Sequence, residues 1–150
     1  MVDEGKITGG CLCGAVRYEA GEPPFRLLFC HCRKCQMAYG SVVGIFASFY
    51  TRTFRFTKDE PFYYRSSAWA ERGFCSACGS PLVFRDATDT IGVMIGSLDH
   101  PENFPPTNGN QLGIESKVPW FNIDDDLPRW RTEDDPEYLA ARELAAREDE

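Results

Sequence analysis

A mainly β domain closed by a helix is what this sequence predicts, and three observations carry the prediction. Short segments rich in β-branched and aromatic residues recur between glycine, proline and aspartate breaks. Cysteine pairs stand at the ends of several of those segments, in spacings that suit metal ligation. Beyond Asp135 the composition turns to strong helix formers. At 150 residues, 43% of them hydrophobic, the chain has the size of one domain with its own core.

Taken in order, Gly9-Gly10 ahead of Cys11 and Gly14 behind Cys13 predict a tight turn that brings two sulfurs toward one point. Ala15 to Glu19 alternates apolar and polar side chains, the pattern of a half-buried strand. Gly21-Glu22-Pro23-Pro24 breaks it, and Phe25 to Phe29 forms a second strand leading into Cys30. Arg33 to Tyr39 predicts a short helix stopped by Gly40. Ser41 to Tyr50, Thr51 to Thr57, Pro61 to Arg65 and Ala68 to Phe74 read as strands, the last delivering Cys75. Pro81 to Phe84 and Ile91 to Ile95 repeat that composition. Pro101 to Gly113 reads as loop, and Ser116 to Phe121 ends the β part. Asp135 is placed to cap a helix, Pro136 suits its first turn, and Tyr138 to Arg147 predicts a surface helix with Glu143 and Arg147 paired. The expected organisation is one zinc-binding β domain over residues 5–132 and an acidic helix or tail over 133–150.

A formal net charge of -7 argues against a general nucleic-acid binder, because no whole-domain positive field gathers phosphates. The acid is concentrated in Asp124-Asp125-Asp126 and beyond Glu133, which leaves room for a local basic patch. No apolar run approaches the roughly 20 residues of a membrane helix. Met1 to Lys6 lacks the basic and apolar regions of a secretory signal. A cytoplasmic location is therefore expected, where thiols stay reduced, and an odd cysteine count fits ligation better than a disulfide framework.

The seven cysteines leave no remainder: Cys11-x-Cys13, Cys30-x-Cys32-x-x-Cys35 and Cys75-x-x-Cys78. A structural zinc site takes four ligands, whereas a catalytic one keeps three and an open position. Seven divides into four plus three. Pairing Cys11 and Cys13 with Cys75 and Cys78 ties distant parts of the chain into one closed site. Cys30, Cys32 and Cys35 then cover one face of a second ion, and chemistry is expected at its open face. His31 lies between two ligands, and in an extended segment its side chain points away from theirs, so it reads as a support and not a ligand. His100 reads as surface or substrate-facing. Arg33 and Lys34 are either solvated charges or attractors for an anionic substrate. A plainer alternative makes all seven cysteines structural, and a redox reading of the C-x-x-C pairs lacks the parallel βαβ context it needs.

These residues carry a family resemblance. Gly9 to Tyr18, Cys30-His31-Cys32-Arg33-Lys34-Cys35-Gln36, Phe74 to Leu82 and Ser116-Lys117-Val118-Pro119-Trp120 together resemble the glutathione-dependent formaldehyde-activating enzyme family, which includes the domain of centromere protein V. The resemblance implies a β-tent of antiparallel sheets clamped by zinc. It implies a structural zinc on Cys11, Cys13, Cys75 and Cys78 and a catalytic zinc on Cys30, Cys32 and Cys35. It also implies a carbon–sulfur lyase that joins a small thiol, glutathione or a similar one, to formaldehyde or another small aldehyde. A non-catalytic, zinc-stabilised binding module is the alternative that the same scaffold allows. Ser116, Lys117 and Trp120 are pocket candidates, against a simpler expectation that Trp120 is core and Lys117 a salt-bridge partner.

Overall fold

The computed structural model describes residues 5–106 and 108–148. Its strands are β1 (Ile7–Gly10), β2 (Arg17–Ala20), β3 (Arg26–Cys30), β4 (Gly44–Tyr50), β5 (Phe54–Phe56), β6 (Phe62–Arg65), β7 (Ala70–Phe74), β8 (Pro81–Asp86), β9 (Thr90–Met94), β10 (Gly109–Leu112) and β11 (Arg129–Trp130). Helix α1 (Arg33–Tyr39) joins β3 to β4, and α2 (Pro136–Glu148) follows β11. The mainly β class with a C-terminal helix is the one the sequence predicts.

Two sheets form among the described residues. The small one has the order β1-β2-β5, and the large one β11-β10-β3-β4-β9-β8-β7-β6. Neighbours in the large sheet run antiparallel, except that β10 lies parallel to both β3 and β11.

The two faces of the large sheet have different uses, and the period of two along each strand separates them. On one face Ala47 and Phe49 of β4 and Ile91 and Val93 of β9 meet Tyr18 and Ala20 of the small sheet and Val16 just before it. Leu82, Val83 and Leu98 complete this core. Burying each Phe, Leu or Val there contributes about 1.5–3 kcal/mol relative to exposure, so this layer is the main hold between the sheets. The Tyr18 hydroxyl carried inside is matched, because it lies 2.6 Å from Ser97 Oγ. On the opposite face Phe46, Ser48 and Tyr50 of β4, Thr90 and Gly92 of β9, and Arg26, Leu28 and Cys30 of β3 line a cavity.

Helix α2 closes that second face. Asp135 caps it as the sequence predicts, its carboxylate accepting from the Tyr138 N–H at 3.1 Å. Arg147 reaches Glu143 one turn back. It is a surface helix as expected, exposed along most of its length, with a few anchoring contacts. Glu137 forms an ion pair with Arg26 of β3, the Tyr138 ring stands edge-on to Trp69 at 5.0 Å, and Ala141 is buried. None of the described helices is long and apolar enough to cross a membrane.

Three stretches depart from expectation. Gly9 and Gly10 belong to a strand, Ile7–Gly10, that pairs with β2, and the expected turn follows it, where the Gly14 N–H donates to the Cys11 carbonyl at 3.2 Å. Thr51–Thr53 is a 3-10 turn, and only Phe54–Phe56 of that run is strand. The expected loop Pro101 to Gly113, in which Thr107 lies outside the described residues, contains β10. Asn110 and Gln111 carry no strand preference of their own. Their pairing with β3 and the burial of Asn110, Gln111 and Leu112 override it.

Candidate metal centres

Cys11 and Cys13 follow β1, and Cys75 and Cys78 follow β7, so two strand ends deliver four sulfurs to one point. The sulfurs of Cys11 and Cys13 are 3.6 Å apart, those of Cys13 and Cys75 3.8 Å, and all four lie within 4.8 Å of one another. A tetrahedral ion with metal–sulfur bonds of about 2.3 Å spaces its ligands about 3.8 Å apart, so separation and donor type both fit zinc. All the cysteines are free thiols. The Val16 N–H donates to Cys11 Sγ at 3.3 Å. Ser80 Oγ, 3.1 Å from Cys78 Sγ, and the Ser80 backbone hold the Cys78 thiol down to about 5, which readies it as a ligand. Cys11 and Cys75 are embedded in the core between the sheets, and none of the four lines the cavity.

The other three cysteines form a separate group with their sulfurs again within 4.8 Å. Cys30 ends β3, Cys32 caps α1 by accepting from the Cys35 N–H at 3.4 Å, and Cys35 sits in the first turn of that helix. The strand-to-helix corner is what gathers them. It is held tightly from one side by Gly113, whose φ of 71° is the left-handed region and whose added Cβ would lie 2.7 Å from the Cys32 nitrogen. Gly113→Ala is therefore expected to displace Cys32 and weaken metal retention by the three-thiol group, leaving the four-thiol group intact. Graded chelation followed by elemental analysis checks this.

His31 is a support, as expected. It is fully buried, its Nε2 donates to Gln111 Oε1 at 2.7 Å, and Gln111 Nε2 donates to Asp125 at 2.9 Å. Gln36, missed in the sequence reading, ties the corner further by donating to the carbonyls of His31 and Ser116. Arg33 donates to Gln36 Oε1 at 2.6 Å.

Three sulfurs this close cannot all ionise unaided. Hydrogen bonds from Cys30 and then Cys35 bring Cys32 down to about 2, while Cys30, as the partner giving the proton, is pushed well above the ordinary thiol range. A dication held by the three sulfurs would offset their mutual repulsion and let them ionise together, which is the electrostatic fit of this group to zinc. The protein supplies one cation of its own, and the sequence reading missed it. Arg72 of β7 directs Nη1 and Nη2 at Cys35 Sγ, at 3.6 and 3.7 Å, and Nη1 also donates to the Tyr39 hydroxyl at 2.7 Å. Its guanidinium lies 5.2 Å from the ring centres of both Tyr39 and Phe84. Its pairing opposite Phe84 of β8 is what sets it on this face, and nothing in the sequence distinguishes it from other arginines.

The three thiols stand at one end of a cavity of about 590 Å³, within the ordinary range for small-molecule sites of roughly 300–1,000 Å³. Arg33, Lys34 and Arg72 line it beside them, and α2 contributes Tyr138, Ala140 and Ala141. Of the other candidates only Ser116 reaches it. Trp120 is 72% exposed instead of core, and Lys117 donates to Asn122 and a backbone carbonyl instead of a carboxylate. His100 is exposed beside Glu102.

A two-sheet domain with a four-thiol group at the margin of its core, Cys11 and Cys75 buried and Cys13 exposed, and a three-thiol group at a cavity defines a cysteine-rich protein able to hold metal at two places. A family model described as glutathione-dependent formaldehyde-activating enzyme matches residues 6–112, and the chain belongs to that family. An uncharacterized lyase of Schizosaccharomyces pombe is 35% identical over 80 residues, which are 53% of this chain and 57% of that protein. The chain thus spans little more than half the length of this curated relative. A crystal structure of a Rhodobacter sphaeroides protein aligns with a TM-score of 0.50 over 82% of this chain and 98% of that one, at 20% identity, a likeness of fold.

Proposed function

We propose that the chain is a zinc-dependent carbon–sulfur lyase that reversibly adds a small thiol, glutathione or a similar one, to formaldehyde or another small aldehyde. The observation that carries this reading is the convergence of Cys30, Cys32 and Cys35 at the end of a cavity with Arg72 beside them. In this reading the three cysteines hold the catalytic zinc, and Cys11, Cys13, Cys75 and Cys78 hold a structural one. When bound, the ion at the cavity supplies Lewis acidity, which favours a thiolate or polarises a carbonyl oxygen. In the forward direction the thiol sulfur bonds to the carbonyl carbon, the C=O becomes a C–OH, and the thiol proton ends on that oxygen. The reverse reaction breaks the C–S bond.

The chain's own residues prepare the site for this. Arg72 keeps a positive charge where sulfur charge gathers, at no reorganisation cost because two rings and a hydroxyl fix its plane. Phe46, Phe84 and Leu112 surround the thiols with carbon and keep the local dielectric low. Arg33 and Lys34 at the same end attract a thiol whose carboxylate lies close to its sulfur, and the attraction weakens with salt. The catalytic unit is proposed to occupy residues 5–132, with the helix of 133–150 as an accessory wall.

Reduced, folded protein is expected to hold two zinc ions of unequal affinity, the one at Cys30, Cys32 and Cys35 leaving first under a chelator. Elemental analysis along a chelator series, with NMR detection of thiol–aldehyde exchange on the same samples, tests the reading. Loss of exchange in step with the first ion supports it. Zinc-free folded protein overturns it, and a retained second ion without exchange favours the binding module.

A further inference from the structure

We propose that the cavity closed by α2 is built for a thiol carrying a flat aromatic group, with Tyr138 and Ala141 setting that preference. The inference rests on the reading of Cys30, Cys32 and Cys35 as the reacting end. Helix α2 lies outside residues 6–112, so the wall it adds stands apart from the part of the chain that carries the family match.

Two features of the cavity point to this class of ligand. The first is a file of rings running from the thiols to α2. Phe46 meets Phe84 edge-on at 6.0 Å, Phe84 meets Trp69 at 5.8 Å, and Trp69 meets Tyr138 at 5.0 Å. All four line the cavity, and buried Ala141 lines it beside Tyr138 with the smallest side chain that still offers carbon. A flat apolar guest finds ring partners along this whole wall.

The second feature is the placement of charge. Cations Arg33, Lys34 and Arg72 stand with the cysteines. Arg26 lies at the other end of β3 from Cys30, about 13 Å away at the rise of a strand. At that end the lining includes Asp86, Asp89, Asp135 and Glu137, and Arg26 is already paired with Glu137. A thiol whose far end bears carboxylates, as glutathione does, places them against this acid. An uncharged aromatic body does not, so the tripeptide is the poorer fit.

The experiment compares naphthalene-2-thiol, 2-naphthol and glutathione by titration of zinc-loaded wild type, Ala141→Leu, Tyr138→Ala and the exposed-face control Leu139→Ala. 2-Naphthol reports the cavity without sulfur. Naphthalene-2-thiol is expected to bind at least tenfold more tightly than glutathione. Ala141→Leu, which fills the space, is expected to weaken 2-naphthol at least tenfold, and Leu139→Ala less than twofold. Thermal unfolding checks that each variant is folded, and if Ala141→Leu is not, the roughly fivefold weakening expected of Tyr138→Ala carries the test. Glutathione binding as tightly as the naphthyl thiol overturns the aromatic preference and leaves the lyase reading standing. Naphthyl binding that no α2 substitution alters also overturns it. Equal binding of naphthol and naphthyl thiol, both sensitive to α2, upholds the cavity's aromatic preference but removes the thiol from the cysteine cluster, which sinks the lyase reading and the thiol part of this proposal with it.

Discussion

Cys75→Ser is expected to lower the unfolding free energy of the zinc-loaded protein by on the order of several kcal/mol, a fraction of the about 10–16 kcal/mol that a structural zinc brings to a small fold. Cys75 is 1% exposed, belongs to the core between the two sheets, and shares its sulfur cluster with Cys11 and Cys13 from the other end of the domain. Losing one ligand loosens the junction of β1 and β7 and leaves a polar hydroxyl in a buried place. Cys32→Ser is expected to behave differently, giving a folded chain that retains one ion and loses thiol–aldehyde exchange. Denaturant unfolding and metal content, measured on both variants, decide the matter. Equal destabilisation by the two substitutions would contradict the division into a fold-holding group and a reacting group.

Arg72→Ala is expected to weaken zinc at Cys30, Cys32 and Cys35, or the activity that depends on it, by about 10- to 100-fold, the usual effect of removing an outer partner that orients a ligand. The guanidinium reaches Cys35 with two nitrogens while one of them also holds the Tyr39 hydroxyl. A lysine keeps the charge but not this fork, so Arg72→Lys is expected to recover only part of the loss. Competition for zinc against a chromophoric chelator reads the affinity directly. Unchanged metal content at the four-thiol group in the same samples separates the effect from general unfolding.

Much of this arrangement is legible in the sequence because it is local. Cys32 and Cys35 are three residues apart with a helix-forming segment behind them, and the cap that Cys32 makes is a local event. The strands with alternating side chains, such as Arg17–Ala20, are visible for the same reason. What escapes is decided across the sheet. Arg72 reaches Cys35 only because the strand order places β7 on the same face as α1, and neither propensity nor spacing encodes that face. Gly109–Leu112 becomes a strand through parallel pairing with β3. The role of α2 is hidden because its apolar residues form no single stripe, with Leu139 and Leu144 exposed while Ala141 is buried. Trp120 looks like core by residue type, yet it is exposed.

The two thiol groups also differ in how much chain each must loop to assemble. Cys32 and Cys35 are separated by three positions, whereas Cys13 meets Cys75 across 62. Closing the longer segment costs roughly 2–3 kcal/mol more chain entropy on a logarithmic loop-length scale. A nascent or refolding chain is therefore expected to gather Cys30, Cys32 and Cys35 early, before β7 has joined the sheet, and the other four only when the sheets meet. With zinc held as proposed, the order of capture and the order of release are expected to be opposite: the group that first meets an ion in the unfolded chain is the one expected to surrender it most readily once folding is complete.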